Sequence, residues 1–288
     1  MTEWSGMQMG FRLVVRFCRG LGSFRRGRFS ALSALLILVS PVEFLGQTTE
    51  SGFLYRDIGL RDSSIPYQVF VPRGFDPEQT WPLIVYLHGL GGGGADGIWQ
   101  TEGGLGSAVR RHADWFPARA LFPQAPPDSN WVGGAAELVL RQVDSTVAEF
   151  NVDPDRVYLT GASMGGEGVY HLALLQPERF AALVVSCGSP FTPAWRLRDL
   201  DLPPQDRSEA AFDRVAKTLR HLPLWAFHGS DDEVVDVAEA RSIVEALKAA
   251  GGEVRLTEYD GQGHDACGRA FFEPDVWPWL FAHKRSRK

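Results

Sequence analysis

Apolar residues along the chain are grouped into short continuous runs. Two such runs, at residues 82–87 and 118–122, follow residue 80, and residues 156–160, 181–186, 222–227 and 254–258 are further strand candidates. A continuous apolar run of this length is typical of a strand that is buried on both faces. Residues 53–55 and 67–71 also have strand composition and predict an antiparallel lead-in to these strands.

Segments with helical spacing of apolar residues separate the strands, at residues 135–150, 165–175, 209–219 and 237–250. Alternation of strand and helix predicts the α/β class, with a mostly parallel central sheet and helices on both faces. In such sheets ligands bind at the carboxyl ends of the strands. We therefore expect chemically active residues in the segments that directly follow each strand.

The composition is that of a folded globular protein. Of the 288 residues, 44% are hydrophobic and 22% are charged, and the formal net charge is −6. A negative net charge provides no general attraction for nucleic acid or for an anionic membrane. Nucleic acid is therefore not an expected partner.

The N-terminal segment differs from the rest of the chain. Six arginines lie between residues 12 and 28, and an apolar run follows from Phe29 to Val39. A basic region followed by a short apolar region is typical of an export signal, and the apolar run is short for a membrane span. The pattern predicts a signal peptide over residues 1–46, a secreted or periplasmic protein without a stable membrane span after processing, and one domain over residues 47–288. The alternatives are an uncleaved anchor and a true start at Met7 or Met9.

A G-x-S-x-G motif follows the run at 156–160 and precedes a helical pattern, with Ser163 at its centre. In this context the motif places the serine on a sharp strand-to-helix turn, where its side chain projects above the sheet. A serine becomes a strong nucleophile when a neighbouring base accepts its proton. Ser163 is therefore the candidate nucleophile.

A glycine-rich turn, H-G-L-G-G-G-G at 88–94, follows the run at 82–87. Acyl transfer requires hydrogen-bond donors for the oxyanion that develops in the transition state. The backbone amides of Leu90 and Met164 are the expected donors. The turn also matches G-x-G-x-x-G, but no strand ending in an acidic residue follows about 20 residues later, as a dinucleotide site requires.

The base and the acid should follow the serine in the order acid, then histidine. His264 lies in the turn after the last predicted strand, and Asp231, Asp232 and Glu233 follow the run at 222–227. One of these acids should orient and stabilise the histidine. Spacing alone does not choose among the three.

These motifs resemble the esterase branch of the α/β-hydrolases, which includes carboxylesterases, acyl-protein thioesterases, feruloyl esterases, polyhydroxyalkanoate-depolymerase-like enzymes and predicted peptidases. The resemblance covers residues 67–281 and rests chiefly on W-P-L-I-V-Y-L-H-G at 81–89 and V-Y-L-T-G-A-S-M-G-G at 157–166. The resemblance implies the α/β-hydrolase fold. It supports Ser163 and His264 as catalytic residues and, through the pattern H-G-x-x-D, selects Asp232 as the acid. It also implies that the amides of Leu90 and Met164 form the oxyanion hole. The segment at 189–221 is longer than in relatives and predicts a small cap.

The expected activity is hydrolysis of a small-molecule or polymer carboxylic ester by two-step acyl transfer. No cofactor is expected, and the remaining histidines have no paired spacing that predicts a metal site. Trp131 is a candidate substrate contact, with burial in the core as the alternative. The rival functions are a serine peptidase of the prolyl-oligopeptidase type and a binding module that has lost activity. Cys187 and Cys267 are either a disulfide or two free thiols.

Overall fold

A computed structural model describes residues 50–60, 63–76, 78–114, 116–200 and 202–285. The predicted signal peptide at 1–46 lies outside these residues, so export stays a prediction. All the described residues belong to one compact unit. Within this part of the chain, no helix combines the length and the apolar composition that a membrane span requires.

The centre of the protein is an eight-stranded sheet with the strand order β1-β2-β4-β3-β5-β6-β7-β8. The pairs β1–β2 and β2–β4 are antiparallel and all other pairs are parallel. The predicted antiparallel lead-in and mostly parallel sheet are confirmed. The strands are β1 (Gly52–Leu60), β2 (Ser63–Val71), β3 (Trp81–Leu87), β4 (Arg119–Pro123), β5 (Val152–Ala162), β6 (Leu183–Ser186), β7 (Leu224–Gly229) and β8 (Val254–Tyr259).

Helices cover both faces of this sheet. The α-helices are α1 (Leu105–Arg111), α2 (Gly133–Glu149), α3 (Met164–Leu175), α4 (Ala194–Asp199), α5 (Glu209–Leu219), α6 (Val237–Ala249) and α7 (Val276–Phe281). Side chains of α2, α3, α5 and α6 join the core on one face. Side chains of α1 and α7 join the core on the other face, together with a 3₁₀ segment at His264–Phe272.

Strand β3 shows why the central strands are continuous apolar runs. Leu83, Val85 and Leu87 point into one core, whereas Ile84 and Tyr86 point into the other. Successive side chains of a strand alternate between the two faces, so a strand covered on both sides has no polar face. The four long helices were predicted closely, because each has enough residues to show an apolar stripe of helical spacing. Helices α1, α4 and α7 have only six or seven residues each and were not predicted.

Candidate active site

Ser163 stands on the turn between β5 and α3 in a strained backbone conformation, with φ 55° and ψ −120°. A positive φ is rare for a residue with a side chain and is found where the surrounding structure enforces it. The two motif glycines allow that turn: a Cβ on Gly161 would overlap the Gly165 carbonyl, and a Cβ on Gly165 would overlap the Leu87 carbonyl. The local sequence thus places the Ser163 hydroxyl above the carboxyl edge of the sheet.

His264 contacts this hydroxyl from the segment that follows β8. The Ser163 Oγ and the His264 Nε2 lie 2.7 Å apart. The loops after β7 and β8 are joined by hydrogen bonds from the Ser230 amide to the Tyr259 carbonyl and from the Asp231 amide to the Gln262 carbonyl. These bonds hold the loop carrying the histidine against the loop carrying the acid.

Asp232 is the acid that contacts His264. Its Oδ2 lies 2.7 Å from the His264 Nδ1, and its Oδ1 accepts hydrogen bonds of 2.9 Å from the amides of Val234 and Val235. Burial of the carboxyl opposes its ionisation, but hydrogen bonds from His228, His264 and the two amides outweigh burial and hold the pKa of Asp232 below its ordinary value. An acceptor-only carboxylate fixes the histidine tautomer that leaves Nε2 free to accept the serine proton.

The two neighbouring acids have other surroundings. Asp231 is exposed and its Oδ1 accepts a hydrogen bond from the Ser230 hydroxyl, and Glu233 is exposed. The three acids could not be separated by spacing. The structure brings Asp232 to the histidine, as the family resemblance implied.

His228 contacts the Asp232 carboxylate, and the sequence analysis did not predict this contact. Its Nε2 lies 3.2 Å from the Asp232 Oδ2 and 2.9 Å from the Val235 carbonyl oxygen. Both neighbours are acceptors, so this nitrogen carries a proton and donates. Its position in F-H-G, directly before the loop with the acids, was the available signal. The ring is 1% exposed and helps to hold Asp232 in place.

The amides of Leu90 and Met164 stand beside Ser163. Leu90 begins a 3₁₀ turn (Leu90–Gly92), and Met164 is the first residue of α3. The first amides of a helical segment have no partner within that segment, and neither of these two amides hydrogen-bonds to another described residue. Both residues line a cleft that also contains Ser163. Leu90 and Met164 thus border the same cleft as Ser163, and their role as oxyanion donors stays a prediction.

His88 supports the turn that carries Leu90. Its Nδ1–H donates to the Gly89 carbonyl at 2.6 Å, and its Nε2 accepts from the Ala125 amide at 3.0 Å. Burial lowers the pKa of His88 to about 4, against an opposing effect of the bond to Gly89. The ring is therefore neutral near pH 7, in a single tautomer defined by one donor bond and one acceptor bond.

Trp131 lies in the core and not at the surface of the cleft. It is 2% exposed, and its Nε1–H donates to the His88 carbonyl at 3.0 Å. It does not line either of the two cavities at Ser163. The predicted contact with substrate is therefore corrected: the indole is large enough to fill the space beneath the glycine-rich turn, and it anchors that turn.

Two cavities flank Ser163. The first has a volume of about 400 Å³ and the second about 880 Å³, each including space open to solvent. The first is mainly apolar, with the polar side chains of Ser189, Glu167 and Arg196 among its walls; its apolar walls are Leu90, Met164, Phe191, Pro193, Trp195, Val234 and Val235. Burial raises the pKa of Glu167, although a hydrogen bond from the Thr192 hydroxyl opposes this rise.

The predicted cap at 189–221 divides into two parts. Residues 189–196 form one wall of the first cavity. The later helix α5 packs against α6 and contributes Phe212, Val215 and Leu219 to the core. Only the first part borders the cleft.

Cys187 and Cys267 are free thiols that lie next to each other and to the acid–histidine pair. Cys187 is fully buried, whereas Cys267 is partly exposed. Burial and the neighbouring Cys187 thiol raise the pKa of Cys267 far above its ordinary range. The Cys267 sulfur is therefore a protonated thiol near neutral pH.

Curated relatives include several esterases. Feruloyl esterase B of Neurospora crassa is 31% identical over 137 residues, which are 43% of this chain and 44% of that protein. Poly(3-hydroxyalkanoate) depolymerase C of Paucimonas lemoignei is 28% identical over 232 residues, which are 73% of this chain and 53% of that protein. The chain spans about half the length of these curated relatives.

Among solved structures, a thermostable esterase superposes with a TM-score of 0.67 and 29% identity, covering 81% of this chain and 63% of that one. The family model described as phospholipase/carboxylesterase matches residues 107–273, more than half of the chain. That range includes Ser163, Asp232 and His264. The chain belongs to the phospholipase/carboxylesterase family of α/β-hydrolases.

Proposed function

We propose that the protein is a serine hydrolase that cleaves carboxylic esters by two-step acyl transfer, with Ser163 as nucleophile, His264 as base and Asp232 as the residue that orients the base. The observation that carries this proposal is the continuous line of two 2.7 Å contacts from the Ser163 Oγ through His264 to Asp232. Such a line is the geometry by which a serine loses its proton as it attacks.

In the first step the His264 Nε2 accepts the Ser163 proton as Oγ bonds to the ester carbonyl carbon. The carbonyl oxygen becomes an oxyanion, and the amides of Leu90 and Met164 donate to it. Each donor of this kind contributes about 3 kcal/mol to stabilising the transition state. The imidazolium that forms is stabilised by the ionised Asp232 carboxylate.

The tetrahedral intermediate then collapses. The carbon–oxygen bond to the alcohol breaks, and His264 gives its proton to the departing oxygen. Water next attacks the acyl-enzyme while His264 accepts one of its protons. The second collapse releases the carboxylic acid and returns the proton to the Ser163 Oγ. No electrons are exchanged with another group, so the cycle requires no redox cofactor.

The two cavities beside Ser163 support separate places for the acyl group and the alcohol. The apolar walls of the first cavity, including Phe191 and Trp195, favour an apolar or aromatic portion of the substrate. The names of the relatives, feruloyl esterase, acetylxylan esterase and poly(3-hydroxyalkanoate) depolymerase, agree with small or polymeric esters as the substrate class.

The first test is hydrolysis of p-nitrophenyl esters from acetate to long acyl chains by the wild type and by Ser163→Ala. We expect hydrolysis by the wild type alone, and labelling of Ser163 by a fluorophosphonate probe. An aminoacyl p-nitroanilide series run alongside separates an esterase from a peptidase. Ester hydrolysis that survives in Ser163→Ala would refute the proposal, and the absence of both hydrolysis and labelling would favour a binding module.

The second test separates Asp232 from its neighbour. Asp232→Asn should lower kcat by about 10⁴-fold, because the amide stabilises the wrong histidine tautomer and no imidazolium. Asp231→Asn is the matched control, since its side chain contacts Ser230 and not His264. Equal losses in the two variants would show that the loop, and not the Asp232 carboxylate, is responsible.

Export is a separate proposal. The basic and apolar pattern of residues 1–46 supports it. We expect the full chain, expressed with a C-terminal tag, to be recovered outside the cytoplasm with a new N-terminus near residue 47. Recovery of the intact N-terminus in the cytoplasm alone would contradict export.

A further inference from the structure

Two thiols, Cys187 and Cys267, lie beside the acid–histidine pair and have no role in the ester chemistry proposed above. One ligand atom each from Cys187, Asp232, His264 and Cys267 can be chosen so that all four atoms lie within 4.8 Å of one another. Cys187 and Asp232 are buried, whereas His264 and Cys267 are partly exposed. We propose that this cluster is an inhibitory site for a thiophilic divalent cation, with Zn²⁺ as the expected ion.

The topology of the sheet brings these four residues together. Cys187 directly follows β6, Asp232 lies in the loop after β7, and His264 and Cys267 lie in the 3₁₀ segment after β8. The three strands are neighbours in the sheet and parallel, so their carboxyl ends meet at one edge. The Cys187 amide donates to the Phe227 carbonyl at 2.8 Å, and this bond fixes the thiol against the end of β7.

The conformation of Cys187 is unusual in the same way as that of Ser163. Its φ is 46°, in the left-handed region that a residue with a side chain rarely adopts. Its side chain is fully buried, beside Asp232 and His264. The strained backbone at Cys187 thus presents a buried thiol to an acid and a histidine.

The donor set favours zinc over the hard cations. Two thiols, an imidazole and a carboxylate are ligands that Zn²⁺ takes in tetrahedral sites, with bonds of about 2.0–2.3 Å. Tetrahedral bonds of that length separate the ligand atoms by roughly 3.3–3.8 Å, so the side chains have to close by about 1 Å from the 4.8 Å limit. Mg²⁺ and Ca²⁺ prefer oxygen ligands and are not expected to bind.

The site is open on one side. Cys267 and His264 both line the cavity of about 880 Å³ beside Ser163. A cation can therefore reach the sulfur of Cys267 from solvent. On binding, the two thiols each release one proton to solvent and become thiolates, while Asp232 is already ionised, so no oxidant or reductant takes part.

Binding of the cation and ester hydrolysis exclude each other. A cation on the His264 Nδ1 displaces the proton from that nitrogen to Nε2, which can then no longer accept the Ser163 proton, whereas a cation on Nε2 occupies the accepting lone pair directly. In both cases the base is lost. The inhibitory effect rests on the proposed function, whereas occupancy of the site does not.

The experiment uses the full chain, freed of metal and reduced, and titrates it with Co²⁺ as a spectroscopic substitute for Zn²⁺. We expect one equivalent to produce a thiolate-to-cobalt charge-transfer band, which Zn²⁺ then abolishes. The same Zn²⁺ should suppress ester hydrolysis at least tenfold, and a chelator should restore it. Cys267→Ser should lose the band and resist inhibition, each variant being compared with its own metal-free rate.

Further variants keep the result interpretable. Ser163→Ala should retain the cobalt band, so the site can stand even if the proposed nucleophile is wrong. Because Cys187 is buried and strained, its substitution could unfold the protein, and Cys267→Ala is therefore the second test variant. The proposal would be overturned by the absence of a band in the wild type or by an unchanged band in both Cys267 variants. It would also be overturned if the air-oxidised protein contained a Cys187–Cys267 disulfide and the reduced protein bound no Co²⁺.

Discussion

Removal of the buried His88 ring provides a direct test of the electrostatics under the glycine-rich turn. Burial lowers the pKa of His88 to about 4, from 6.5 for an exposed histidine. Between these two values the unfolded chain carries a proton at this position that the native chain excludes. The stabilisation is therefore complete above pH 6.5 and is lost as the pH falls from about 6.5 towards 4.

The fall in the His88 pKa from 6.5 to about 4 corresponds to at most about 3.5 kcal/mol, because a tenfold change in an equilibrium is worth about 1.4 kcal/mol. Between about pH 7.5 and about pH 4.5 the expected loss is about 2.5 kcal/mol, since at the lower pH the native ring is itself partly protonated. His88→Gln removes the titration, while its amide can still donate to the Gly89 carbonyl and accept from the Ala125 amide.

The assay is urea unfolding at both pH values, followed by fluorescence of the 9 tryptophans. The fall in the free energy of unfolding should be about 2.5 kcal/mol larger in the wild type than in His88→Gln. All other titrating groups cancel in this double difference. An equal fall in the two proteins would mean that His88 is protonated in the native state, and it would refute the assigned tautomer and the donor bond to Gly89.

Three other substitutions test packing around the site. Gly165→Ala should abolish activity and destabilise the protein by about 3 kcal/mol or more, because the added Cβ overlaps the Leu87 carbonyl. Gly134→Ala is the control and should be tolerated, because nothing lies near its Cβ. Equal effects of the two substitutions would contradict the predicted overlap at Gly165. Trp131→Phe should lower the free energy of unfolding by about 1–3 kcal/mol, because the indole hydrogen bond is lost. The ester chain-length profile should not change. A changed KM at constant stability would instead support the predicted contact of Trp131 with substrate. Arg119→Met should raise the free energy of unfolding by about 1 kcal/mol. The guanidinium of Arg119 is buried, has no hydrogen-bond acceptor among the described residues, and has its pKa lowered to about 10 by burial. A clear loss of stability would show that the contacts of Arg119 with aromatic rings dominate.

Local sequence determined most of the elements and the turn that carries the candidate nucleophile. The apolar runs predicted the central strands because a strand buried on both faces has no polar positions, and this property is visible without any knowledge of neighbours. The turn at Ser163 was also a local prediction, because the G-x-S-x-G motif is recognisable in sequence and Gly161 is required by its close approach to Gly165 within the same turn. The choice of Asp232 among the three adjacent acids followed from the family resemblance.

The tertiary structure decided which side chains meet. Asp232, Asp231 and Glu233 have similar chemistry and adjacent positions, and only the packing of the loop after β7 against the loop after β8 directs one of them to His264. Trp131 could line the cleft or fill the core. The direction of its indole towards His88 depends on how the chain leaves β3 and β4, which are separated in sequence but paired in the sheet.

The pairing of Cys187 with Cys267 has the same origin. These residues lie 80 positions apart in the numbering and become neighbours because β6, β7 and β8 are adjacent and parallel. A hydrophobic pattern records whether each segment is buried, since burial depends on the residue itself. It does not record which polar groups at the ends of different strands face each other, because that depends on strand order and loop packing across the whole sheet.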